Sequence, residues 1–124
     1  MFSKEQILKF DSLETPFYFY DIELLQKTLD EIKKECSERN YKVHYALKAN
    51  SNDKILKMIS SSGLGADCVS GNEIIKAVSK GFNEDEIVFA GVGKSNKEIM
   101  TALDQKISCF NVESIQEIEV INSI

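Results

Sequence analysis

The chain has 124 residues, 43% of them hydrophobic and 28% charged, with 15 basic against 20 acidic residues and a formal net charge of −5. That length holds one domain at most, and that charge balance offers no basic stripe to a nucleic acid. Its apolar runs fall short of the roughly 20 residues a membrane-spanning helix needs, and residues 1–10 alternate charges with single apolar residues. No membrane segment or signal peptide is predicted, and the cytoplasm is the expected compartment.

Residues 1–14 read as an N-terminal arm, short and either helical or irregular, because Ile7, Leu8 and Phe10 keep no clean period. Pro16 is the only proline, and the aromatic run Phe17-Tyr18-Phe19-Tyr20 behind it predicts a strand with proline at its first position. Asp21 is placed to cap a helix in which Ile22, Leu25, Leu29, Ile32 and Cys36 recur at steps of three and four. That spacing predicts one buried face, with Lys27, Glu31, Lys34 and Glu38 on the wet side and Arg39-Asn40 at the end.

The next strand, at about 43–48, alternates Val43, Tyr45 and Leu47 with smaller or more polar residues and delivers Lys48 to its end, where Asn50, Ser51, Asn52 and Asp53 break the pattern. From here the sequence repeats itself. Ser70-Gly71-Asn72-Glu73-Ile74, Ser95-Asn96-Lys97-Glu98-Ile99 and Ser114-Ile115-Gln116-Glu117-Ile118 share one frame, and Ser51-Asn52-Asp53-Lys54-Ile55 matches it with lysine for glutamate. Serine with glutamate three residues on is a capping box, so four helices are predicted to begin at these serines. Their spacings of 19, 25 and 19 residues each leave room for a helix, a strand and two short connections. Gly63 and Gly81 fall where helices would end in a left-handed residue. The strands between, at about 43–48, 65–69, 87–91 and 108–112, are continuous apolar runs, as parallel strands covered on both faces require. Four βα units in succession mean an α/β protein, and periodicity alone leaves a doubly wound sheet and part of an eightfold barrel both open.

Chemistry-bearing residues are few. Cys36, Cys68 and Cys109 stand alone at wide spacing, with only His44 to join them, which predicts neither a disulfide nor a zinc site. Cys68 and Cys109 lie in apolar strand-like runs, where a free thiol acts as a small core residue. His44 reads as packed or surface-exposed. Gly91-Val92-Gly93-Lys94 is too short for a phosphate-binding nucleotide loop, and Lys94 reads either as a solvated charge or as facing a site at the carboxyl ends of the strands. Glu113, at a strand end, is a further candidate. Lys48 is the residue to explain, since a lysine where a strand surfaces is either reaching solvent or held for a purpose such as a Schiff base. Asp67 is costly to bury in the apolar run Ala66-Asp67-Cys68-Val69 without a partner, whereas the capping box already accounts for Glu73.

Tyr45-Ala46-Leu47-Lys48-Ala49-Asn50 resembles the lysine motif of the fold-type III, alanine-racemase-like pyridoxal-phosphate decarboxylases. Four more segments match in order: Thr15-Pro16-Phe17-Tyr18, Gly65 to Glu73, Ile87 to Lys94, and Phe110-Asn111-Val112-Glu113-Ser114. The resemblance covers nearly the whole chain from Thr15, and its Gly-x-Gly-Lys segment is most similar to the branch acting on diaminopimelate. One departure is Asn72, where relatives usually carry a second glycine.

The resemblance implies a (β/α)8 barrel, of which residues 15–124 are the N-terminal half, truncated after about four units since such barrels run to about 250 residues. It implies pyridoxal 5′-phosphate as cofactor, held by Lys48 as a Schiff base, with Asp67 and Glu73 in the cofactor site. It further implies conversion of meso-diaminopimelate to L-lysine in the complete protein, a small-molecule amino-acid substrate, and a homodimer. Residues that hold the cofactor phosphate and bind substrate lie downstream in the relatives, as does a C-terminal β domain. Two alternatives stay open: a sister enzyme of the same fold acting on ornithine, arginine or lysine, and a non-catalytic fragment that self-associates through open strand edges.

Overall fold

Four short parallel strands set the architecture: β1 His44–Ala46, β2 Gly65–Cys68, β3 Ile87–Phe89 and β4 Cys109–Phe110, paired in the order β1-β2-β3-β4. The computed structural model describes residues 2–124. Two helices, α1 Lys4–Asp11 and α2 Ile22–Arg39, precede the sheet. Parallel neighbours need a crossover. It is supplied in turn by α3 Asp53–Ser61, α4 Gly71–Ser79 and α5 Asn96–Asp104, and α6 Ile115–Ser123 comes after β4. The order never reverses, so the sheet lacks the switch point of a doubly wound fold and advances one strand per unit, as a barrel segment does.

The register is uniform: His44 faces Gly65, Ala66 faces Ile87 and Val88 faces Cys109, each pair 21 residues apart. Paired residues share a face of the sheet. One face carries Ala66, Cys68, Ile87 and Phe89, all 0% exposed, packed against Leu56, Ile59, Ile74 and Ala77 of the helices. Burying each such large apolar side chain contributes about 1.5–3 kcal/mol. The other face carries the row Ala46, Asp67, Val88 and Cys109, half-buried to exposed. At β2's start, a side chain on Gly65 would collide with the Glu86 carbonyl and the His44 ring, so the close approach of strands there depends on glycine.

Several sequence expectations need correction. Phe17–Tyr20 forms no strand, having no neighbouring ladder to join. Phe17 and Phe19 instead turn their rings onto Phe10, and Phe19 also meets Phe2, at centroid distances of 5.0–5.5 Å. Helix α2 buries only Leu29, with Leu25, Ile32 and Cys36 half-buried and Ile22 exposed, so it meets the core cluster through Leu25 and Leu29 rather than along its whole apolar stripe. Cys109 is exposed, lying on edge strand β4 and on the face the helices do not cover, whereas Cys68 is buried as expected. All three thiols are free.

Ser70, Ser95 and Ser114 cap α4, α5 and α6, but Asn52 rather than Ser51 caps α3. Asn52 Oδ1 accepts from the Lys54 amide, a local bond that competes well with a box lacking its glutamate. Gly63 and Gly81 take φ of +80° and +86° at the ends of α3 and α4. Of the glutamates in these frames, Glu98 closes a full box with Ser95 and its other oxygen accepts from the Gly71 amide at 3.1 Å, tying α5 to the start of α4.

The Ser95 hydroxyl first, then the Ser95 and Gly71 amides, hold the Glu98 carboxyl below the ordinary carboxylate range. A group whose pKa falls on folding stabilises the fold above its unfolded value, and that contribution is lost as pH drops through the folded one. Glu98→Gln should therefore unfold about 1 kcal/mol more easily at neutral pH. Urea titrations should show the difference from wild type shrinking below about pH 4; a gap that persists at pH 3 would disprove the charge-based account.

Candidate active site at the carboxyl ends of the strands

Lys48 does not end a strand. Pairing stops at Ala46, and residues Leu47–Ala49 form a single 3-10 turn that tucks Leu47 into the core at 0% exposure and leaves Lys48 exposed. The alternation of Tyr45 and Leu47 looks the same whether the chain stays extended or turns there, because both conformations bury Leu47. The turn packs against β2. One strand over, about 4.8 Å away in the hydrogen-bonding direction, Asp67 pairs with Ala46.

Asp67 is half-buried, and its Oδ1 is buried without a hydrogen-bond partner. A buried unsatisfied acceptor costs about 1–3 kcal/mol, so this oxygen is a place where the fold gives up stability. Its neighbour Cys68 points to the helix side, where burial, and then the charges of Glu73 and Asp67, push the thiol up to about 12. Thiolate chemistry is closed to Cys68 at neutral pH. Glu73 plays a visible structural part, since its Oε2 accepts from the Val69 amide at 2.7 Å while its own amide donates to Ser70 Oγ. Lys48, Asp67 and Glu73 thus share one rim, at the carboxyl ends of β1 and β2, with the Glu73 carboxylate turned toward the β2–α4 connection.

Lys94, open in the sequence between a solvated charge and a residue facing the carboxyl ends of the strands, is not solvated. Its side chain is 1% exposed, and its ammonium donates to the Gly91 carbonyl at 2.7 Å, the Asn111 carbonyl at 2.8 Å and Glu117 Oε1 at 2.7 Å, 5.4 Å above the Phe89 ring. All three N–H donors are used. Glu117 Oε2 also accepts from the Glu113 amide at 2.7 Å, and that amide, followed by Lys94, lowers the Glu117 pKa. The signal was a Gly-x-Gly turn that bends the main chain back toward the lysine, together with a glutamate 23 residues later in the next capping frame. Glu113 itself contributes only its backbone here. His44 is half-buried at the opposite, amino end, 3.9 Å from Glu86, beside a hollow of about 200 Å³ lined by Cys36, Lys42 and Gly65.

An exposed amine just past one strand's end can take an aldehyde covalently, and a buried, unpaired carboxylate oxygen on the neighbouring strand can receive a polar group at the same rim. Residues 22–124 match the family described as pyridoxal-dependent decarboxylase, pyridoxal binding domain. Over 117 residues the chain is 56% identical to a diaminopimelate decarboxylase of Bacteroides thetaiotaomicron, covering 94% of this chain and 30% of that protein. The solved diaminopimelate decarboxylase from Helicobacter pylori, complexed with L-lysine, aligns with a TM-score of 0.83 at 41% identity, over 98% of this chain and 30% of that one. The M. jannaschii diaminopimelate decarboxylase in co-complex with L-lysine gives a TM-score of 0.86 at 33% identity, over 95% and 29%. The chain spans about 30% of the length of the curated relatives it matches.

Removing the unpaired oxygen with Asp67→Ala should stabilise the fold by about 1 kcal/mol, whereas Glu73→Gln, which keeps an acceptor for Val69, should stay within about 1 kcal/mol of wild type. Thermal unfolding of both variants decides this; a clear loss of stability in Asp67→Ala would mean that Asp67 is paired.

Proposed function

From a chain that belongs to the pyridoxal-dependent decarboxylases and carries their pyridoxal-binding domain, we infer a part in the decarboxylation of meso-diaminopimelate to L-lysine, a step of lysine biosynthesis. The names of the relatives at 56% and 42–43% identity support that substrate, and the L-lysine in the two solved complexes is its decarboxylation product. The observation that carries the reading is Lys48, exposed on a turn that is anchored in the core and packs against β2, the strand that carries the unpaired oxygen of Asp67. Residues 15–124 are, in this reading, part of the barrel domain of a homodimeric cytoplasmic enzyme. Among the described residues no helix is long and apolar enough to cross a membrane.

The residues present fit pyridoxal 5′-phosphate. When bound, it supplies an aldehyde that condenses with an amine, losing water, and a ring that takes up the electron pair left behind when carbon dioxide departs. Lys48 Nζ is the amine for that attachment. Lys48 would hold the cofactor through that amine, and once free the amine would be able to carry a proton at the same rim. Asp67 Oδ1, which has no partner within the chain, would accept a hydrogen bond from the cofactor side of the rim and be satisfied by it. Glu73 serves the same site by holding the Val69–Ser70 turn that borders it.

In the full-length enzyme, borohydride reduction followed by peptide mapping should place a pyridoxyl group on Lys48. A pyridoxyl group on any other lysine, or none at all, ends the proposal. Asp67→Asn should lower turnover tenfold or more, about 1.4 kcal/mol in barrier, without loss of fold.

The 124 residues by themselves should not turn over. Catalysis requires the scissile bond to be held and the ring to be tuned electrostatically, and four βα units contribute one rim of such a site. Given pyridoxal 5′-phosphate and diaminopimelate, the isolated chain should release carbon dioxide only at the rate of free cofactor. Release well above it, abolished by Lys48→Ala, would show that four units suffice.

A further inference from the structure

The turn carrying Lys48 is fixed at two ends by different means. On one side Leu47 is fully buried. On the other, the Tyr45 hydroxyl reaches over the turn and donates to the Asn50 carbonyl oxygen at 3.1 Å. Tyr45 is able to do this because it leaves β1 toward the helix side, in register with Ala66, and packs against the core cluster there. Asn50 passes the constraint on: its Oδ1 accepts from the Asn52 amide at 2.9 Å, and Asn52 Oδ1 accepts from the Lys54 amide at 3.0 Å, where α3 begins. Strand, turn and helix form one chain of bonds with Lys48 in its middle.

We propose that Tyr45 is a positioning residue for Lys48: by holding the Asn50 carbonyl, its hydroxyl fixes the Leu47–Asn50 turn so that the lysine amine faces the rim where the cofactor aldehyde is received. This rests on the reading of Lys48 as the attachment residue. Burial, the largest cause, raises the Tyr45 pKa, so the hydroxyl keeps its proton and remains a donor throughout the neutral range. The ring and the hydroxyl have separable roles. The ring belongs to the core and would be kept by phenylalanine, whereas the hydroxyl's one hydrogen bond restrains the turn from the side opposite buried Leu47. Freeing the turn lets the amine sample positions from which the aldehyde is out of reach, which weakens attachment without unfolding the protein.

The test compares full-length wild type with Tyr45→Phe. Cofactor affinity is measured by dialysis against pyridoxal 5′-phosphate, the lysine-bound cofactor by its visible absorption, and the attachment site by borohydride reduction and peptide mapping. The dissociation constant should rise about fivefold, the factor corresponding to one neutral hydrogen bond, with a weakened or shifted absorption band. Attachment should remain on Lys48, and the melting temperature should stay within about 5 °C. Replacing Tyr45 with para-aminophenylalanine, which restores a donor at the same place, should recover the affinity. An affinity and spectrum equal to wild type in Tyr45→Phe, with Lys48 still labelled, would overturn the inference and leave the assigned function standing. No label on Lys48 in wild type would overturn both.

Discussion

The carboxyl ends of these strands are held by charge meeting backbone. Strands of two to four residues have few ladder bonds of their own, so the connections leaving them must stop the chain from fraying. Glu73 takes the Val69 amide, Glu98 takes the Ser95 and Gly71 amides, and Glu117 takes the Glu113 amide while pairing with buried Lys94. Each carboxylate sits at a helix start, where the macrodipole also favours it. A charge-assisted bond to a backbone amide is about twice as strong as a neutral one, and the four made by these three carboxylates give the rim a defined shape on which Lys48 and Asp67 can be placed.

Lys94 deepens that arrangement. An ammonium at 1% exposure survives because each of its hydrogens has an acceptor and one acceptor is ionised. Two of those acceptors are carbonyls from the connections after β3 and after β4, so one side chain joins two adjacent units that the short ladder between Val88–Phe89 and Cys109–Phe110 joins only weakly. Asp67 shows the opposite economy. Its orphaned oxygen is a local conflict between sequence and packing, and such conflicts concentrate where a protein binds something.

The features legible in the sequence were those that local chemistry decides. Serine-to-glutamate frames marked three helix starts to the residue, and the glycines marked two ends, because capping and left-handed backbone depend on a few adjacent atoms. Four strands and their parallel sense could be read from apolar runs spaced by helices. The illegible features were those settled by distant partners. Phe17–Tyr20 has the residues of a strand and lacks a ladder; Cys109 has the neighbours of a core residue and lies at an edge; Lys94 stays open between solvent and the strand ends until Asn111 and Glu117 fold over it. At Lys48 the motif located the residue, while the 3-10 turn that presents it differs from a strand in nothing that periodicity measures.

The constant register of 21 residues bears on how such a chain comes to fold. Every strand pairs with the one made just before it, so no loop longer than one crossover has to close before a ladder can form, and the entropic cost of each step stays small. A nascent chain leaving the ribosome could add one strand and one covering helix at a time, each new unit templated by the exposed edge of the last. The order of synthesis and the order of assembly then coincide, with the lysine-bearing turn completed first.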